Sequence, residues 1–380
     1  MIKKRDFFVI IIFLIIIFFT TSFLAETNVP NEERQVSHGF GPSLNLDEYN
    51  TNSLIIIALI GLSITMICAV LLERNISRIA SKTGKNVGTT LMGLASSIPL
   101  LVIIITLTIE NRGDLIISNI VSANIANLTL VLGILTLIKP LERGKSFQRG
   151  IVALTIIIAS MSLIVLGISS NINLMNNASY NINRTTGYGL IGLFILFIAL
   201  LNFFKSKKET HLKSKNLKKE IFLTIIFGTL VAWFANISVK AFIIIAETYS
   251  VPTIIIGSVI GVIGASLPEL AIGLVCLIKK EHEEIYSNLI TSNIVNFNIG
   301  IAIPAIIIGS VALNNITLGF KLPLMIFAMF VSTIFFMKKR HNKQQNTNIE
   351  KIQRLGTTRF EGILLIGLFC AWIIILTTFF

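Results

Sequence analysis

Long apolar runs separated by short polar segments dominate the chain. A helix needs about 20 mostly apolar residues to cross a hydrocarbon core roughly 30 Å thick. Runs that approach or exceed this length lie at 54–72, 88–109, 115–138, 150–168 and 187–204, then at 221–247, 253–278, 285–309, 316–337 and 360–380. The pattern predicts an all-α polytopic membrane protein of ten transmembrane helices in two groups of five. An eleventh run, Phe7 to Leu24, follows Lys3, Lys4 and Arg5 and reads as a signal peptide or an N-terminal anchor helix within 1–25. Phe23, three positions before Ala25, makes a poor cleavage site. Either form leaves 26–53 as an extracytoplasmic segment.

Composition supports lipid as the main solvent. Hydrophobic residues make up 53% and charged residues 13%, about half the charged share of a typical soluble domain, and the mean hydropathy is +0.82. The net charge of +13 suggests nucleic acid until its placement is examined. Of the 32 lysines and arginines, 27 fall at the N-terminus or in 73–87, 139–149, 205–220, 279–284 and 338–359, which are every second loop. The opposite loops hold only Arg34, Arg112 and Arg184, while Lys240 and Lys321 sit near outer helix ends, where long side chains snorkel. Basic loops face the cytoplasm. This places the 205–220 linker inside, the C-terminus outside and the chain in the cell membrane, and it excludes nucleic acid as a partner. The halves are then 54–204 and 221–380. Three cysteines in apolar runs and four scattered histidines offer no disulfide framework, zinc spacing or proton relay. There is no phosphate-binding G-x-x-x-x-G-K-[ST] motif and no nucleophile–base pair, so neither ATP use nor an enzyme is expected.

The two halves resemble each other. An offset of 169 residues aligns Gly88 with Gly257, Ser97 with Ser266, Pro99 with Pro268, Asn119 with Asn288, Asn124 with Asn293 and Asn127 with Asn296, without a gap. Five helices per half is odd, so the second half enters the membrane from the opposite side. Inverted repeats of this kind build transporters with a site at the repeat interface. Pro99 and Pro268 lie inside predicted spans, where proline removes a backbone donor and frees the carbonyls of Ala95 and Gly264. Ser96, Ser97 and Ser266 flank the breaks; Asn127, Ser292 and Asn296 follow on the next helices. Glu269 is the one carboxylate expected at mid-membrane depth, where a charge points to function. Such oxygens suit a hard cation. Taken singly, a proline is a tolerated kink and an asparagine is interhelical glue; repetition at fixed spacing favours a cation path.

The second copy, Gly264-Ala-Ser-Leu-Pro-Glu-Leu270 followed by Ser287-Asn-Leu-Ile-Thr-Ser-Asn-Ile-Val-Asn296, resembles the second alpha-repeat of sodium/calcium exchangers. The pattern there is G-T-S-L-P-E, then G-N-x-x-G-S-N-x-x-N/D. The first copy, Ala95-Ser-Ser-Ile-Pro-Leu100 with Ser118-Asn-Ile-Val-Ser-Ala-Asn-Ile-Ala-Asn127, looks like a worn first repeat, and the resemblance extends over about 54–380. It implies secondary antiport of calcium and sodium as substrates, with no cofactor, through Ser96, Ser97, Asn127, Ser266, Glu269, Ser292 and Asn296. The departures are Leu100 for the first glutamate, Ala123 for a serine and Ala265 for a threonine, while Asn296 takes a position that is aspartate in some members. Altered selectivity for a monovalent cation or proton, or a transport-dead membrane scaffold, is the alternative. Single cysteines placed in 205–220 and in 169–186 are expected to react with an impermeant maleimide from opposite sides. Reaction from one side for both would overturn the loop alternation.

Overall fold

The computed structural model describes residues 46, 49–80, 93–94, 96–109, 112–141, 146–169, 180–203, 217–280, 282–313, 316–337 and 357–379. The predicted signal or anchor at 1–25, most of 26–53, most of the 205–220 linker, and Gly88 and Ala95 lie outside the described residues.

Apart from a turn at Ser97 and the bend at Gly309, helix occupies the described part of every predicted span. In chain order these are α1 (Thr51–Ala80), α2 (Ile98–Ile109), α3 (Gly113–Ala126), α4 (Leu132–Ile138), α5 (Ser146–Ser169), α6 (Arg184–Phe203) and α7 (Leu217–Thr248). The second half adds α8 (Thr253–Ile260), α9 (Leu267–Ile278), α10 (His282–Ile294), α11 (Gly300–Ile308), α12 (Leu322–Met337) and α13 (Arg359–Phe379). Several pairs form single interrupted rods. A π-helical turn at Asn127–Val131 joins α3 to α4, one at Gly261–Ser266 joins α8 to α9, and one at Val295–Ile299 joins α10 to α11. Among the described residues, seven helices are long and apolar enough to cross a membrane, and Ile98–Ile109, Ile151–Ser162 and Arg184–Leu200 are shorter apolar helices. One departure from an all-helical chain is a pair of antiparallel strands, β1 (Tyr180–Asn183) and β2 (Ser310–Leu313), in register Tyr180↔Leu313 to Asn183↔Ser310. It gives two connecting segments the backbone partners they need.

Local signals set the ends. The Asn183 Oδ1 accepts from the Thr186 N–H at 2.9 Å, which caps α6. Thr358 and Glu361 form a reciprocal capping box at α13, with 2.7 Å from the Thr358 N–H to Glu361 Oε2 and 3.3 Å from the Glu361 N–H to Thr358 Oγ1. Gly309 ends α11 at φ +91°, a left-handed conformation that glycine adopts without strain.

The packing inverts the order of a soluble protein. Windows within Leu115–Ile138 and Glu284–Ile308 are 83% buried, whereas those of α1, α7 and α13 are about one-third buried or less, so the two interrupted rods form the centre. That centre is polar: Asn119, Asn124, Asn127, Asn293, Asn296 and Asn298 are 0–1% exposed. Ile56, Leu59 and Ile60 of α1, Phe222 of α7, and Phe327 and Phe330 of α12 face outward, as lipid-facing side chains do. The pairings obey the sequence offset: α2 packs on α7 and its counterpart α9 on α1, while α6 packs on α11 and its counterpart α13 on α4. Loops predicted to share a side also meet. Arg112 pairs with Glu247 at 2.9 Å, and Thr357 and Leu141 exchange backbone and hydroxyl bonds at 2.9 Å.

Lys321 corrects the sequence reading. It does not snorkel; it is 0% exposed and donates to Ser258 Oγ at 2.6 Å and Ser118 Oγ at 2.7 Å. Hydropathy placed it near a helix end, but a π-helical turn at Thr317–Lys321 precedes α12, and hydroxyls far away in sequence receive the ammonium.

The contact of α8 with α3 depends on the absence of side chains. A methyl at Gly261 would collide with the Asn119 carbonyl and lie 3.1 Å from the Ala123 nitrogen; at Gly192 it would meet nothing within 4 Å. Gly261→Ala is expected to lower stability by about 1–3 kcal/mol through overpacking. Gly192→Ala should be neutral or stabilising, since alanine is the better helix former by about 1 kcal/mol. Thermal unfolding of the two variants in detergent checks the contrast.

Candidate cation site

The centre is held by hydrogen bonds between equivalent residues. Asn124 Nδ2 donates to the Asn293 carbonyl and Asn293 Nδ2 to the Asn124 carbonyl, each at 3.1 Å. Ser97 Oγ approaches the Ser292 carbonyl at 3.4 Å, and Ser266 Oγ donates to the Ala123 carbonyl at 3.2 Å. Both sets are exchanged by the 169-residue offset. Each proline marks an interruption. Ile98 and Pro99 begin α2 after a turn at Ser97, and Pro268 follows the π turn Gly261–Ser266 at the start of α9.

Glu269 lies in the first turn of α9, 1% exposed. Ser292 Oγ donates to its Oε1 at 2.6 Å, a short bond of the kind a carboxylate forms. Ser97 Oγ lies 3.1 Å from Ser292 Oγ and 2.8 Å from the Gly93 carbonyl, while Asn296 Nδ2 donates to Ser292 Oγ at 3.4 Å. Four of the seven nominated residues, Ser97, Glu269, Ser292 and Asn296, thus form one connected cluster. Asn127 joins the centre by donating 2.9 Å to Asn293 Oδ1, and Ser266 through the Ala123 carbonyl. Ser96 Oγ is 3.1 Å from the Gly93 carbonyl. All seven are buried.

The acceptor oxygens indicate what the cluster can do. Glu269 Oε2 and the Oδ1 atoms of Asn124, Asn127 and Asn296 are buried and find no hydrogen-bond partner among the described residues. Leaving such an acceptor unsatisfied costs about 1–3 kcal/mol, so a concentration of them favours a donor or cation from outside the described residues. Among the described residues no three His, Cys, Asp or Glu side chains converge as a metal group. The donors are therefore amide, hydroxyl and carbonyl oxygens around a single carboxylate, a hard-cation set. Leu100, the counterpart of Glu269, is 1% exposed and packs in the apolar core.

Sequence reading did not nominate Asn293, whose amide bonds both Asn124 and Asn127, or Asn298, whose Nδ2 donates to Ser160 Oγ at 3.0 Å and the Leu190 carbonyl at 3.2 Å. The repeat alignment contained the signal for Asn293; Asn298 has Thr129 as its counterpart and lacked one.

A family model described as sodium/calcium exchanger protein matches residues 53–203 and 219–378. CaxA of Alkalimonas amylolytica, named as a candidate antiporter, is 25% identical over 222 residues, covering 55% of this chain and 66% of that protein. The inner membrane protein YrbG of Escherichia coli (strain K12) is 21% identical over 234 residues, covering 58% and 69%. Among solved structures, the sodium-calcium exchanger NCX_Mj soaked with 2.5 mM Na+ and 0.1 mM Sr2+ superposes with a TM-score of 0.61 at 20% identity, covering 87% of this chain and 99% of that one. A state of the same exchanger soaked with 10 mM Na+ and 10 mM Sr2+ gives 0.60 at 20% identity, with 85% and 97% covered. These superpositions show a shared fold.

Asn124→Ala and Asn293→Ala are each expected to cost about 1–3 kcal/mol, because each strips a partner from a buried group. The double variant should cost less than the sum, since the two residues share their bonds. Denaturant unfolding of all four proteins checks this; strict additivity would contradict the reciprocal pairing.

Proposed function

The chain belongs to the sodium/calcium exchanger protein family, and from that membership we propose that it is a secondary active antiporter exchanging calcium for sodium across the cell membrane by alternating access. In this reading ten helices cross the bilayer as two inverted sets of five, with the 205–220 linker in the cytoplasm and the C-terminus outside. An ion gradient drives transport, without ATP. The observation that carries the reading is Glu269: a buried carboxylate held by Ser292 at 2.6 Å, with one oxygen unpartnered and amide oxygens of Asn127 and Asn296 also unpartnered. Ser96, Ser97 and Ser266 complete the proposed ligand set from the interrupted helices. The long pair α1 and α7 packs across α9 and α2 and is the element proposed to rock, exposing the site to each side in turn.

A second reading has a specific observation behind it. Leu100 stands where a two-carboxylate site would carry its other charge. A divalent ion beside one carboxylate retains a net positive charge in a medium of low effective dielectric, whereas a monovalent ion is neutralised. Exchange of monovalent cations or protons on the same scaffold follows from that asymmetry.

Purified protein in sodium-loaded liposomes, diluted into labelled calcium or rubidium, distinguishes the readings. Gradient-dependent calcium uptake is the expected result. Uptake of rubidium alone selects the monovalent reading, and no uptake of any cation identifies a transport-dead scaffold. Glu269→Gln should reduce uptake to the level of protein-free liposomes, because among the described residues no second carboxylate stands in the cluster. Leu100→Glu should raise the preference for calcium over sodium. Parent-like transport by Glu269→Gln would place the path elsewhere.

A further inference from the structure

The buried Lys321 has no part in the ligand set, yet it lies in the same polar centre. Its ammonium donates to Ser258 Oγ at 2.6 Å, Ser118 Oγ at 2.7 Å and Ser122 Oγ at 3.4 Å. Three serine oxygens around a fully buried Nζ match the three donors of a lysine ammonium. The enclosure is built tightly. It joins α3, which carries Ser118 and Ser122, to α8, which carries Ser258, and a methyl at Gly257 would lie 2.9 Å from Ser118 Oγ. α3 leads directly into the Asn127 turn; Ser122 precedes Asn127 by five residues, about 7.5 Å of helix axis.

We propose that Lys321 is a specificity-determining residue: a tethered monovalent cation, seated among the hydroxyls of Ser118, Ser122 and Ser258, that lowers the negative charge of the neighbouring transport site and sets its preference against divalent ions. The proposal rests on the antiport reading of the Glu269 cluster. A fixed positive charge repels a divalent ion twice as strongly as a monovalent one at the same place. Replacing the ammonium by a neutral group makes the centre more negative by one unit and favours calcium over sodium. The ammonium at Lys321 and the apolar Leu100 at the counterpart of Glu269 both move selectivity away from calcium, so neutralising the first and placing a carboxylate at the second shift it the same way, toward calcium.

The test is equilibrium binding of radiolabelled sodium and calcium to the purified full chain and to three variants. Lys321→Met removes charge and hydrogen bonds, Lys321→Gln keeps donors to the serines without charge, and Lys321→Arg keeps the charge. With Ser122 and Asn127 separated by about 7.5 Å of helix axis and an effective dielectric near 20, the neutral variants should shift the calcium-to-sodium affinity ratio toward calcium by about tenfold or more. Lys321→Arg should keep the parent ratio. A folded Lys321→Gln or Lys321→Met with the parent ratio overturns the proposal. So does unfolding of both neutral variants beside a parent-like arginine variant, since Lys321 would then only tie helices together. A parent protein that binds neither ion would instead overturn the antiport reading beneath it.

Discussion

At membrane depth every polar group needs a partner inside the protein, because lipid supplies none. The paired bonds between Asn124 and Asn293, each amide on the other's carbonyl at 3.1 Å, meet that requirement at the centre of the molecule. Much else is arranged around them. They hold the two interrupted rods together where lipid gives apolar side chains little reason to associate. The rods in turn bring the π turns that begin at Asn127 and Val295 to the same crossing as Glu269. Apolar surface goes outward and polar surface inward; Asn124 and Asn293 satisfy their amide donors across the two copies, while several buried amide oxygens keep no partner among the described residues.

Symmetry serves the scaffold and breaks where the chemistry lies. Asparagines and prolines recur at both copies, but the counterpart of Glu269 is Leu100, that of Ser292 is Ala123, and that of Ser96 is Ala265. The hydroxyl that grips the carboxylate therefore exists once, and so does the carboxylate. Electrostatics follows directly. A centre with one negative side chain and a buried ammonium nearby has much less capacity for divalent charge than one with two carboxylates, while its supply of neutral oxygen donors is large. Selectivity in this chain depends on that balance.

Much of the fold was legible in the sequence because lipid imposes a simple rule on length and hydropathy. Apart from Ser97 and Gly309, the described part of every apolar run is helical, and the 169-residue offset reappeared as exchanged bonds between Asn124 and Asn293. The positions of Ser97, Glu269, Ser292 and Asn296 were legible as a cluster for the same reason. Lys321 was not. Its place near a helix end suggested water, whereas Ser118 and Ser258 receive it through contacts 203 and 63 residues away in the chain, a separation invisible to hydropathy. The π turns were equally hidden, since one inserted residue in a helix leaves no mark on composition. The β1–β2 pair is too short to show a period of two.

The central claim is that one cation binds between the copies against Glu269. Anomalous diffraction from crystals soaked in thallium or strontium tests it most directly. The account predicts a peak in contact with the Glu269 carboxylate and the Asn127 and Asn296 amide oxygens. An occupied site away from Glu269, or a peak unchanged in Glu269→Gln crystals, would contradict it.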